Sequence, residues 1–181
     1  MTKVQITKLF ELERGNGNYT KTYCNSHKRP YPVYSGNTVS EFSLIDSYDY
    51  DGKYLSWSID GLDGYMMFLE CKFSATNHRG ILIAKEDNIN LTYIKFVLEP
   101  IFREKSKGRK GVNGVNEYTA LPPKIIKDIM VPIPTKYDSS YDLEKQQEIS
   151  KKYIQIEEIR KFIYNKINEV ISINPIITYL F

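Results

Sequence analysis

From Ser139 to Ile173 the chain contains neither glycine nor proline, and no other stretch restricts the fold as strongly. Within it Ile149, Ile156, Ile163 and Val170 recur every seven residues, with Tyr153, Ile159 and Ile167 at intermediate positions. This pattern predicts one amphipathic helix with a heptad seam, of the kind that forms a coiled coil. Ser140 or Asp142 can cap its start, and Glu144 and Glu148 suit the positive end of the helix dipole. A helix of roughly thirty residues is about 45 Å long, too long to lie wholly on a small domain. The seam therefore calls for a partner helix, from another subunit or another segment. Packing back onto its own domain is the plainer alternative.

Everything before this helix reads as strands and loops, which makes the fold class α+β. A mixed, β-rich globular domain over 1–138 precedes the long helix over 139–173 and a C-terminal tail over 174–181. The runs "PYPVYSGN", "YLSWSIDG" and "YMMFLECKF" are β-prone and are separated by Gly, Asn and Asp turns. "NLTYIKFVLEPIFREKS" is the main helical candidate in this region, with Tyr93, Phe96, Val97 and Ile101 at helical spacing and Asn90 or Thr92 near the cap. Pro100 is expected to kink or end it. The segment "TALPPKIIKDIMVPIP" holds a short strand bounded by prolines.

At 181 residues the chain can bury a real core. Its formal charge is only +3, so contact with nucleic acid has to be argued from where the charge sits. Fifteen tyrosines suit interfaces and base contacts, and equally suit strands. Two cysteines make no disulfide framework. With no apolar leader and no long apolar run, a cytoplasmic protein is expected.

Several catalytic and ligand patterns are incomplete. "GRKGVNG" lacks the order of a phosphate-binding loop. Cys24, His27, Cys71 and His78 supply metal-ligand types without the spacing of a zinc site, so no metal is expected. Asp60, Glu70 and Lys72 match the loose acid, acid-x-lysine arrangement of Mg²⁺-dependent nucleases, in which two carboxylates hold the metal and the lysine steadies the attacking water. Alternating polar residues on a strand produce the same pattern, and Asp60 sits beside two glycine turns. A nuclease is the enzymatic alternative. A helix-mediated interaction module is the other.

The remaining feature is "FREKSKGRKGVNGVNEYTALPPK", in which Arg103, Lys105, Lys107, Arg109 and Lys110 fall within eight positions. Lysine and arginine neutralise phosphates, whereas arginine, lysine and asparagine can also reach base edges. This assigns Arg103, Lys105 and Lys107 to phosphates and Arg109, Lys110, Asn113 and Asn116 nearest a groove, with Tyr118 a further DNA-binding candidate on the same stretch. Asn18 and Lys21 in "GNGNYTK", Ser35 and Asn37 in "YSGN", and Arg79 in "NHR" are secondary DNA-binding candidates. A solvated charge run is the alternative.

The order of these motifs resembles the specificity subunit of type I restriction–modification systems, as one target recognition domain with its following helix. The matching pieces are "KLFELERGNGNYTK", "PYPVYSGN", "YLSWSIDGLDG", "FSATNH" and "NLTYIKFVL". They continue through the basic glycine-rich segment and "YTALPPKIIKDIMVPIP" to "LEKQQEISKKY", and span about residues 8 to 170. Ile59 stands where the family often carries arginine before the aspartate, and the helix entry contains an insertion. The resemblance implies sequence-specific reading of half of a split DNA target without catalysis by this chain. It also implies a helix that spaces two recognition domains and docks a modification subunit, which binds S-adenosylmethionine and methylates adenine. A restriction subunit is a further implied partner. The chain carries one recognition domain and one helix, which leaves open a homodimer or part of a longer chain.

Overall fold

The computed structural model describes every residue except 28, 37–39, 61–63, 111–115, 119 and 178–181, and gives 107–110, 116–118 and 173–177 as backbone. The chain begins with β1 (Thr2–Gln5), the single turn α1 (Ile6–Leu9) and β2 (Phe10–Arg14), followed by α2 (Lys21–Ser26). Seven strands come next: β3 (Tyr31–Tyr34), β4 (Ser43–Ile45), β5 (Tyr50–Asp51), β6 (Tyr54–Ser58), β7 (Met66–Leu69), β8 (Lys72–Ala75) and β9 (Arg79–Ala84). After them run α3 (Leu91–Ser106), β10 (Lys107–Lys110), β11 (Asn116–Tyr118), α4 (Pro123–Ile126), β12 (Met130–Ile133) and α5 (Leu143–Ile177). The α+β class and the single long C-terminal helix match the sequence pattern.

Two four-stranded sheets form the body, in the orders β2-β9-β6-β7 and β4-β3-β8-β5. The first is antiparallel throughout, while β3 and β8 of the second run parallel. None of the β-prone runs singled out in the sequence covers β2 or β9, which form half of the first sheet. A separate ribbon joins β1 to β12, with Thr2 opposite Ile133 and Gln5 opposite Met130.

The main core lies between the first sheet and α3. Trp57 is fully buried there, donates from Nε1 to the Leu121 carbonyl at 2.8 Å, and meets the Phe102 ring edge-on at 5.9 Å. Gly80 on the neighbouring strand passes directly beneath the indole, and any Cβ at that position would collide with Trp57. A smaller aromatic cluster gathers Tyr34, Tyr50 and Tyr54 around buried Phe73.

Helix α3 departs from expectation in two ways. Asn90 does cap it, its Oδ1 accepting from the Tyr93 amide at 2.8 Å. The helix runs through Pro100 to Ser106, so the proline does not end it. Pro100 is exposed, and the bond that it cannot make is to the Phe96 carbonyl one turn earlier. Phe102, two residues later, is anchored against Trp57 and holds the next turn. The fully buried face is Tyr93, Ile94, Leu98 and Phe102, rather than the line through Phe96, Val97 and Ile101. Those three residues are half-buried because α3 has two apolar neighbours, the sheet on one side and α5 on the other.

Helix α5 starts at the Asp142 cap, whose carboxylate accepts from the Lys145 amide at 2.9 Å, and it continues beyond the boundary read at 173. Its first turns dock on the domain. Gln146 is fully buried, donates to the Asn88 carbonyl at 3.1 Å and accepts from the Asn90 amide at 2.9 Å. Ser150 is buried beside it, with its hydroxyl 3.1 Å from Asn90 Oδ1. Tyr153 stacks on Phe96 with ring centroids 5.0 Å apart, and Ile149 packs on the core. Ile149 and Tyr153, read from the heptad as residues for a partner helix, therefore contact their own domain. From Ile154 through Ser172 every residue is exposed, including Ile156, Ile159, Ile163, Ile167 and Val170. Among the described residues no helix is long and apolar enough to cross a membrane.

Candidate nucleic-acid interface

The sheets bring the ends of several strands to one edge of the body. As β2 ends, the Gly15 amide donates to the Arg79 carbonyl at 3.0 Å, and Asn16 bridges in parallel to Thr76. As β3 ends, the Tyr34 carbonyl accepts from the Thr76 amide at 2.8 Å, and the Thr76 hydroxyl reaches the Ser35 hydroxyl at 2.9 Å. As β6 ends, the Ile59 amide donates to the His78 carbonyl at 2.9 Å, and the Ser58 hydroxyl lies 3.1 Å from the Gly36 carbonyl. Gly36 passes so close to the Asp60 carbonyl that no side chain fits between them. The corners at 15–18, 35–36, 59–60 and 76–78 are thus stitched together by backbone and hydroxyl hydrogen bonds. Loops held in this way can present side chains with little loss of entropy on binding.

The basic segment springs from the same region. Arg103 and Lys105 lie in the last turns of α3, and the chain continues into β10 and β11 as a two-stranded antiparallel ribbon. Lys107 pairs with Tyr118 and Lys110 with Asn116, with an irregularity between the two pairs. The return strand leads to Leu121, whose amide donates to the Ile59 carbonyl at 2.9 Å. A positively charged hairpin therefore rises from α3 and re-enters the body at the stitched corners. Lys107, Arg109, Lys110, Asn116 and Tyr118 all sit on its two strands. Asn37 and Asn113 lie outside the described residues.

Of the secondary candidates, Asn18 and Lys21 are exposed and Ser35 is half-buried at the edge. Arg79 is corrected by the structure. It is fully buried, its Nε donates to the Ser35 carbonyl at 2.7 Å, and burial lowers the guanidinium pKa to about 10. A side chain without accessible surface cannot touch DNA, so Arg79 positions the Ser35 corner. Its place opposite Ser58, on a strand that also pairs with β2, was not visible in "NHR" alone. Arg103 is exposed, but its guanidinium lies 4.2 Å above the Tyr65 ring. It also lines a cleft of about 540 Å³ between α3 and α5. Charges in that cleft pair with one another, Lys95 with Glu99 at 3.7 Å and Glu157 with Arg160 at 2.8 Å.

The metal-dependent pattern does not assemble. The Asp60 carboxylate bonds to His78 Nδ1 at 2.9 Å, Glu70 pairs with Lys53 at 2.7 Å, and Lys72 lies over the Tyr48 ring at 4.6 Å. Cys24 is buried in an apolar cluster, His27 stacks on Tyr23, and Cys71 is exposed. Among the described residues no group of three or more His, Cys, Asp or Glu side chains could hold a metal ion.

The family model for the type I restriction modification DNA specificity domain matches residues 1–172. The chain belongs to this family. A putative type I specificity subunit of Mycoplasma pneumoniae is 29% identical over 132 residues, covering 72% of this chain and 34% of the relative. The MpnII specificity subunit of the same organism is 28% identical over 132 residues, covering 72% of this chain and 38% of its own. This specificity-domain chain thus spans between about a third and a half of the length of the first curated relatives it matches. The S subunit of a type I restriction–modification system from M. genitalium shares the fold, with a TM-score of 0.62 at 14% identity over 87% of this chain and 39% of that one. The HsdS subunit from Thermoanaerobacter tengcongensis does so with a TM-score of 0.59 over 87% and 37%.

Proposed function

We propose that this chain is a DNA-reading component of a type I restriction–modification specificity subunit, recognising one half of a split target and carrying out no chemistry itself. The observation that carries the reading is the stitched edge of strand ends with a basic hairpin rising beside it, in a chain whose family match runs from residue 1 to 172. In this reading Lys105 and Lys107 contact phosphates and contribute affinity without sequence preference. Arg109, Lys110, Asn113, Asn116 and Tyr118 act nearer the base edges, with Asn18, Lys21, Ser35 and Asn37 flanking them. The exposed heptad of α5 takes an antiparallel helix, from a second copy in a homodimer or from another segment of a longer chain. The same helix region docks a modification subunit, which binds S-adenosylmethionine and methylates adenine, and a restriction subunit joins the assembly.

Selection of bound duplexes from a randomised library, at moderate salt and with Mg²⁺ present, tests the reading. Two inverted half-sites at a fixed spacing are expected for a dimer, and a single half-site for one reader of a longer subunit. Mg²⁺-dependent degradation of the pool that is lost in Glu70→Ala would establish the nuclease instead. On the selected duplex, Arg109→Ala should relax one base preference at a cost of about 1–3 kcal/mol, while Lys105→Ala should weaken all sequences alike. Equal losses on selected and random DNA for Arg109→Ala would remove it from base reading.

A further inference from the structure

His78 and Asp60 form an exposed pair on the stitched edge that no part of the reading above uses. We infer that His78, held by Asp60, is a specificity-determining residue that accepts a hydrogen bond from a base amino group; this rests on the proposed DNA-reading function. The His78 ring is 52% exposed and the Asp60 side chain 38%, and Nδ1 lies 2.9 Å from Asp60 Oδ2. A carboxylate accepts only, so Nδ1 carries the proton of that bond. In the neutral ring Nε2 is then left as an acceptor. In the major groove an acceptor selects the amino groups of adenine and cytosine, while guanine and thymine present acceptors there. The nearby carboxylate also makes this spot a poor seat for a phosphate, which favours a base over the backbone.

Hydrogen bonds fix the backbone under the pair. The His78 carbonyl accepts from the Ile59 amide at 2.9 Å, and the neighbouring Asn77 carbonyl accepts from Arg14 Nε at 2.6 Å. The Asp60 carbonyl accepts from the Ser58 hydroxyl at 2.8 Å. Ring orientation and platform, and in the neutral ring the tautomer, are therefore set before any ligand arrives, as discrimination between bases requires. Trp57 and Arg79 flank the corner from inside and are fully buried, whereas the His78 and Asp60 side chains are open to solvent.

The test is duplex selection with the full chain as wild type, His78→Ala and Asp60→Asn, followed by affinities for the selected duplex and each of its single-base variants. Thermal unfolding accompanies each protein and should not change for either surface substitution. His78→Ala is expected to lose preference at one position, where the wild type selects adenine or cytosine, by on the order of tenfold. Preference elsewhere and affinity for random DNA should stay as in the wild type. Asp60→Asn, which frees the ring to change tautomer, should weaken the same position and no other. An unchanged selection profile for His78→Ala overturns the inference, as does an equal loss on every duplex or an affected position that selects guanine or thymine. A wild-type chain that enriches no sequence overturns the DNA-reading function, and this inference with it, before any variant is compared.

Discussion

The two halves of α5 carry the same heptad and meet opposite fates. In the first turns Gln146 and Ser150 are buried and Ile149 and Tyr153 lie against α3 and the core. From Ile156 to Val170 the same spacing of aliphatic residues faces solvent. The docked half is distinguished by polar residues between the apolar ones. Gln146 and Ser150 bond to Asn88 and Asn90, and Asn90 also caps α3, so one asparagine ties the starts of two helices together. Period alone announces a face that will be covered, while the polar residues set into it specify which neighbour covers it.

The largest effect should come from breaking the docked half. Gln146→Ala removes the partners of the Asn90 amide and the Asn88 carbonyl at a part-buried site, and unfolding in urea should show a loss of about 1–3 kcal/mol. Tyr153→Ala removes the stack on Phe96 and should cost about 1–2 kcal/mol in the same measurement. Ile163→Ala, in the projecting half, should change the stability of an isolated chain by less than about 0.5 kcal/mol. Sedimentation should instead show weaker association wherever the seam is paired. A loss for Ile163→Ala as large as that for Tyr153→Ala, in a chain shown to be monomeric, would contradict the contrast.

The smallest effect concerns Glu148, whose carboxyl is drawn down to about 2 by hydrogen bonds from Lys145 and Lys152. Its folded pKa lies below the ordinary value, so its contribution is complete above about pH 4.5 and disappears as the pH falls toward 2. The group is fully exposed and screened by salt. Glu148→Gln should therefore flatten the acid limb of a helix-content titration only slightly, and less at high ionic strength.

Much of this architecture could be read from residue order. The long helix followed from the absence of glycine and proline and from the aliphatic period, and α3 from its spacing and its asparagine cap. Pro100 does not end α3, because Phe102 beyond it is anchored against Trp57, which local propensity cannot show. β2 and β9 escaped because the meaning of "FELER" and "RGILIA" lies in their pairing with each other. At the candidate interface, the charge run announced the basic segment but not that it is a hairpin. Arg79 looked like a surface cation because nothing in "NHR" reveals that its side chain runs under the Ser35 corner, where its Nε donates to the Ser35 carbonyl. Composition identifies charges. Only the sheet register decides which of them reach water.

The β1–β12 ribbon has a consequence of another kind. Everything between Gln5 and Met130 enters and leaves through that one pair of adjacent strands, while α5 begins a short connection beyond β12. The body bearing the stitched corners and the hairpin is therefore a cassette with a single doorway. Recombination that exchanged the contents of the cassette, and kept the doorway and the residues that meet Gln146, would hand the same helix a new reading head.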